Sequence, residues 1–247
     1  MTQFIPSSPQ PQVRPASAFK KPAAALALLG TTLMLGACSG NGTVKPPAAT
    51  QPTVISGMLV PFTASSADTI QEQLTGLSAP IASNGNFDLN LPSTATMNST
   101  YGNLLNSKDD TFGLCTTTNV TAPSGFKSIV FSTLNSMKGT TFVAENVSPL
   151  PGGNAVSYKV WWFATVAGTV TVNNTGCLGY GTVNQSLVFK QGWNVMDVTV
   201  NGASTTITRA ANQTPGRLTW KNKNSVQSLE SQALNPYLFN PWAALRK

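Results

Sequence analysis

The sequence predicts an all-β protein, an antiparallel β-sandwich with one or two short helices in its N-terminal part. Three observations carry that prediction. From Cys115 onward, short runs rich in Val, Thr, Phe and Trp recur, each bounded by Gly, Pro or Asn, which is the punctuation of many short strands. Asn84-Gly85 is a strong tight-turn signal, and Phe87-Asp88-Leu89-Asn90-Leu91 alternates cleanly after it, as a half-buried hairpin arm does. Charged residues make up only 9% of the chain, against about 25% in an average soluble domain. Thr, Ser and Asn take the solvent-facing strand positions instead.

Taken in order, Thr53–Val60 is the first strand. Thr69–Leu77 reads as a short helix, since Gln, Glu and Leu favour one and Ser66 or Asp68 can cap it. Phe87–Leu91 is the next strand and Pro92 stops it. Met97–Asn106 reads as a second short helix with Tyr101, Leu104 and Leu105 turned inward. Further strands are expected at Ser128–Leu134, Thr140–Ala144, Ser157–Ala164, Gly168–Val172, Val183–Phe189, Trp193–Val200, Ser204–Arg209 and Arg217–Lys221. Turns separate them at PLPGGN (149–154), Val166-Ala167-Gly168, Gln191-Gly192, Asn201-Gly202 and Thr214-Pro215-Gly216. The run Tyr158–Ala164 is apolar on both faces apart from Lys159, as a central strand is. Trp161 and Trp162 are neighbours and must point to opposite faces. One is core, and the other is either covered by another layer or forms a surface site.

Upstream of the body lies a leader. Arg14, Lys20 and Lys21 make a basic start, and an apolar run extends from Pro22 to Ala37. That is the build of a secretory signal peptide, and the run is too short and broken for a membrane-spanning helix. It ends in Leu35-Gly36-Ala37-Cys38. These four residues resemble the lipobox of bacterial lipoproteins. The resemblance implies cleavage between Ala37 and Cys38, lipid attachment at Cys38, and stable anchoring by two or more acyl chains. Ser39, where this family carries Asp for inner-membrane retention, implies the outer membrane or cell surface. The alternative is an ordinary signal peptide cut after Ala37. Residues 38–52, rich in Pro and Gly, read as a flexible tether.

The segment from Val54-Ile55-Ser56-Gly57 to Asn86-Phe87-Asp88-Leu89-Asn90-Leu91 resembles the opening of carboxypeptidase-regulatory-like or transthyretin-like β-domains. The likeness implies a sandwich of Ig-like or transthyretin-like type serving as a structural or binding module. It carries over no catalytic residue. The body is placed at residues 53–225, either as one unit or as a 53–112 subdomain plus 113–225. Residues 226–247 form an aromatic tail with Tyr237, Phe239 and Trp242. It either packs against the sandwich or offers an aromatic patch.

Composition narrows the function. Without residues 1–37 the count of Lys+Arg drops from 15 to 12 against 8 acids, a net charge of +4. That mild and scattered charge argues against nucleic-acid binding. Histidine is absent, which removes Ser-His-Asp and Cys-His catalysis and His-ligated metals. Ser124-Gly125-Phe126-Lys127 fits Ser-x-x-Lys and Tyr101-Gly102-Asn103 fits Tyr-x-Asn, but their order is reversed and Lys-Thr-Gly is missing. Asp109-Asp110 reads as a solvated loop or a weak calcium contact. Gly176–Gly181 lacks the strand-loop-helix setting and Lys of a phosphate loop.

With Cys38 assigned to lipid, Cys115 and Cys177 remain. In an exported body they most simply form one disulfide; the alternative is two free buried thiols. The expectation is therefore a non-enzymatic lipoprotein without cofactor or metal, held to the membrane by its lipid and meeting envelope proteins or glycans. A second expectation is a ligand- or glycan-binding module that stacks sugars on an exposed aromatic, with Trp161, Trp162, Trp193 and Tyr180 as candidates.

Overall fold

A computed structural model describes residues 50–63, 68–112, 115–136, 142–146, 148–149, 155–177, 181–201 and 204–222. The leader with Ala37 and Cys38, most of the 38–52 tether, Tyr180 and the 226–247 tail lie outside them. The described residues form an all-β body with two short helices. Its strands are β1 (Val54–Val60), β2 (Thr69–Gln71), β3 (Ser78–Pro80), β4 (Asn86–Asn90), β5 (Asn106–Ser107), β6 (Val120–Thr121), β7 (Lys127–Phe131), β8 (Leu134–Ser136), β9 (Phe142–Glu145), β10 (Ser148–Pro149), β11 (Ala155–Ala164), β12 (Gly168–Cys177), β13 (Gly181–Phe189), β14 (Gly192–Asn201), β15 (Ser204–Arg209) and β16 (Leu218–Asn222). Helix α1 spans Thr94–Ser99 and α2 spans Lys108–Phe112, with a 3₁₀ turn at Gly102–Leu104 between them.

Seven strands form one sheet in the order β3-β2-β8-β9-β16-β1-β4. Its two outermost strands are joined by residues 81–85 alone. A flat sheet would set them about 29 Å apart, whereas that linker spans about 20 Å at most. The sheet therefore has to curl. The turn that joins them is closed by Gly85 N–H to the Ala82 carbonyl and Ala82 N–H to the Asn86 carbonyl, both at 2.8 Å. Gly85 adopts φ 82°, a conformation glycine takes without strain. Curling points Ile55, Leu59, Phe87, Leu89 and Trp220 into one core.

Nine strands form the second sheet. Its path is β5-β7-β11-β14-β15-β13-β12-β6, with β10 on the side of β11. Here too the far strand β6 is tied back to β7 by only five residues, 122–126, so this sheet also folds over. Its enclosed core holds Phe112, Val160, Trp162, Leu187, Phe189 and Val198.

The central strands β7, β11 and β14 are buried on both faces. Trp162 and Val130 point into the core just described. Trp161, Phe163, Ile129, Phe131, Trp193 and Val195 point into the core of the seven-stranded sheet. The body is thus three layers, with β11 in the middle one. That settles the Trp161-Trp162 pair: both are core, because a further layer covers the second face. Two pairings, β1 with β16 and β13 with β15, are parallel. The rest of the ladders are antiparallel among the described residues, as expected of strands joined by short turns.

The N-terminal helices differ from the sequence reading. Thr69–Leu77 is not helical. Ile70 is fully buried and β2 pairs with both β3 and β8. Glu72 N–H bonds to the Leu77 carbonyl at 2.8 Å, and the Glu72 carboxylate accepts the Thr75 N–H at 2.9 Å and hydroxyl at 2.8 Å. Tertiary pairing outweighs the modest helix propensity of Gln, Glu and Leu. Asp68 caps no helix; its carboxylate takes the Ser136 hydroxyl and the Thr69 N–H. The second helix begins earlier, at Thr94, where the Ser93 hydroxyl accepts the Thr96 N–H. It ends at Ser99, short of the expected Asn106. Strands β1 to β4 share their sheet with β8, β9 and β16 from later in the chain, and β5 belongs to the nine-stranded one.

Candidate functional site

The tryptophans singled out for sugar stacking are not available for it. Trp161 and Trp162 are 0% exposed and Trp193 is 3% exposed. Trp161 stacks on Trp220 at 5.9 Å with 19° between planes, and Trp162 packs on Phe112 and Phe189. Trp193 packs on Phe131 and Phe163 and donates its indole N–H to the Pro92 carbonyl at 2.8 Å. Three layers require double-faced central strands, and these rings fill them. Tyr180 lies outside the described residues.

Cys115 and Cys177 form a disulfide. Cys177 ends β12 and Cys115 follows α2, so the bond ties the helix end to the β12–β13 hairpin. Thr116 N–H to the Gly176 carbonyl and the Thr117–Thr175 bridge flank it. Gly176 lies at the end of β12 and Gly181 at the start of β13, and Cys177 pairs with Gly181. Asp109 and Asp110 open α2: Asp110 accepts the Ser107 hydroxyl at 2.8 Å, and Lys108 pairs with Asp109 at 2.6 Å. Ser124 sits in a turn that leads into β7, and Phe126, just before that strand, is core. Tyr101 and Ser124 are not set on a common helix.

A site that sequence reading missed lies where the middle sheet emerges from beneath the seven-stranded one. Along β11, Trp161, Lys159 and Ser157 share a face, and along β14 so do Val195 and Asp197. The apolar members are covered. Toward the Ala155 end the face turns polar, and a cleft of about 400 Å³ opens there, lined by Asn146, Ser157, Lys159, Asp197, Thr219 and Lys221, with Leu218 as an apolar wall. Lys159 and Asp197 are directly paired across the β11–β14 ladder, forming a half-exposed salt bridge. Asn146 shapes the cleft by a different route. Its amide accepts the Lys159 N–H at 2.6 Å and donates to the Lys159 carbonyl at 3.0 Å. Those backbone groups fall between the stretches of β11 that pair with β10 and with β7, and the side chain stands in for the missing strand. Only the spacing of Lys159 from Trp161 could have pointed to the site, because Asn146, Asp197 and Lys221 come from distant segments.

Arg217, Lys221 and Lys223 lie close together in sequence but have different surroundings. Arg217 forks onto Asp88 at 3.0 and 3.1 Å, Lys221 lines the cleft, and Lys223 lies outside the described residues. The Ser56 hydroxyl and then the Arg217 guanidinium hold the Asp88 carboxyl below its ordinary pKa. Among the described residues no three His, Cys, Asp or Glu side chains gather as a metal site would require. No helix of the described residues is long and apolar enough to cross a membrane. No family model, curated protein or solved structure matches the chain, so the likenesses at Leu35–Cys38 and at Val54–Leu91 rest on those residues alone.

Proposed function

We propose that the chain is an exported lipoprotein, held at the cell envelope by lipid on Cys38, whose β body serves a structural or protein-interaction role without catalysis. The observation that carries this reading is Leu35-Gly36-Ala37-Cys38 at the end of a basic and then apolar leader. The Cys115–Cys177 disulfide supports it. Structural disulfides persist in oxidising compartments outside the cytosol, and this bond leaves Cys38 as the odd cysteine. Anchoring is to the outer membrane or cell surface, given Ser39 after the cysteine.

The test is intact-mass analysis and membrane fractionation of the expressed protein. The mature chain is expected to begin at Cys38, to carry added lipid mass and to sediment with membranes. Cys38→Ala is expected to release it. A Cys38→Ala protein that stays membrane-bound, or a mature chain without lipid mass, overturns the reading. A ligand-binding role has a separate basis in the polar cleft, since the buried tryptophans provide none.

A further inference from the structure

We propose that the cleft between β11, β14 and β16 binds a neutral, polyhydroxylated ligand of the monosaccharide class, whose neighbouring hydroxyls bridge Lys159 and Asp197. The cleft volume of about 400 Å³ lies in the range of small-molecule sites. Along β11, Ser157 and Lys159 share the face of core-bound Trp161, so Lys159 and its β14 partner Asp197 form the floor. Leu218 shares the face of core-bound Trp220 on β16 and packs against the same core, which makes it the apolar roof. Thr219 and Lys221 alternate with Trp220 and so turn their side chains to the other face of β16, where Lys221 lies opposite Glu145 in the β9–β16 register. Those two residues border the cleft with their backbone. Among the described residues, the charges facing into the cleft are therefore Lys159 and Asp197 alone.

These two charges pair with each other, and their side chains stay 29% and 36% exposed. The pair leaves hydrogen-bonding capacity on both sides. Asp197 gives Oδ1 to Lys159, so Oδ2 remains an acceptor, and the ammonium keeps donors beyond the one it spends on Oδ1. On the next rung Ser157 lies opposite Thr199, which adds hydroxyls. Asn146 spends its amide on the Lys159 backbone and so fixes the floor. A hydroxyl both donates and accepts. One hydroxyl of a sugar ring therefore donates to Asp197 Oδ2 while its neighbour accepts from the Lys159 ammonium, and the ion pair stays intact. The ring's C–H face rests on Leu218. A charged ligand fits less well. An anion lies beside the Asp197 carboxylate and a cation beside the Lys159 ammonium, and either gains its own partner only by leaving the other member of the pair uncompensated.

Saturation-transfer NMR of the purified full-length protein in detergent tests this with glucose, glucuronate and glucosamine as probes. Saturable binding of glucose is expected, tighter than that of either charged sugar. The double variant Lys159→Gln/Asp197→Asn removes both charges together and is expected to weaken glucose about tenfold, the loss of a charged hydrogen bond. Asp197→Asn alone leaves the Lys159 charge unopposed and is expected to shift preference toward glucuronate, and Lys159→Gln alone toward glucosamine. The proposal is overturned if glucose gives no saturable signal, if either charged sugar binds wild type as tightly, or if the double variant binds glucose unchanged while keeping the wild-type circular dichroism. Should the double variant not fold, amide chemical shifts of the wild type decide. Glucose-dependent shifts at Ser157, Lys159 and Asp197 support the site, and shifts confined to other residues overturn it.

Discussion

At the scale of single residues, amide side chains complete backbone ladders that strands leave unfinished. Asn146 does so for Lys159. Gln213 accepts the Val195 N–H at 2.9 Å and donates to the Val195 and Ala210 carbonyls at 2.9 and 2.7 Å, extending the β14–β15 ladder past Arg209. Asn174 and Gln185 take the Asn119 and Ile207 N–H groups in the same way. This use of Asn and Gln accounts for part of the low charge, because neutral amides satisfy buried backbone without a desolvated ion. Gln213→Leu keeps the apolar volume but orphans the Val195 N–H, while the Val195 carbonyl keeps the Ala210 N–H at 2.9 Å, and is expected to cost about 1–3 kcal/mol in a urea titration. None of this was legible in the sequence, since nothing local marks an Asn whose partner is a distant strand. Gly57 is a similar case. A Cβ there would lie 2.3 Å from the Phe87 ring and 2.5 Å from Trp220. Gly57→Ala is therefore expected to lower stability by about 1–3 kcal/mol through overpacking, read as a fall in Tm. At Asp88, Arg217→Leu removes one of the two groups that favour the ionised carboxylate. The Asp88 pKa should then rise toward its ordinary value, measured by NMR titration of the carboxyl carbon. The stability that ionised Asp88 adds is complete above the ordinary carboxylate range and disappears as pH falls through the lowered folded value. The variant should lose the part of that pH dependence that Arg217 supplies, and the Ser56 hydroxyl should keep the rest.

At the scale of elements, the strands from β11 to β16 were readable and the N-terminal helices were not, for one physical reason. Runs such as Trp193–Val200 and Ser204–Arg209 carry β-branched and aromatic residues with clear turn signals, so local preference and tertiary demand agree. Thr69–Leu77 is short and mixed, and long-range pairing of β2 with β8 decides it. The Tyr158–Ala164 run, apolar apart from Lys159, showed that β11 is central, while which second layer covers it could not be read from one strand. The two faces of β11 now make a direct comparison. Trp161 and Trp162 are equally inaccessible, one in each core. Trp161→Ala and Trp162→Ala are each expected to cost about 3–5 kcal/mol in guanidinium unfolding. Had either ring formed a surface site, its replacement would fall within about 0.5 kcal/mol of wild type. A near-neutral result at either position would therefore contradict the three-layer packing.

At the scale of the whole molecule, the disulfide acts across the fold. Cys115 and Cys177 are separated by 62 residues, and the loop between them contains β6 to β12. It thus encloses strands of both sheets: β8 and β9 belong to the seven-stranded one, β7 and β11 to the middle layer. A cross-link around such a loop removes about 4 kcal/mol of chain entropy from the unfolded state in the polymer model. The pairing of the two cysteines followed from their number and the exported context. What the bond encloses depends on a topology that no local pattern encodes, since β1 closes on β16 from the far end of the body. The double variant Cys115→Ala/Cys177→Ala leaves most packing in place, because Cys177 is a small buried residue at a strand end. It is expected to lower unfolding free energy by about 2–5 kcal/mol. Wild type treated with reductant should move by the same amount, and the variant should not respond to reductant at all. Those paired measurements separate the cross-link from the lost side chains. Equal midpoints for reduced and oxidised wild type would show that the bond contributes nothing to the body's stability.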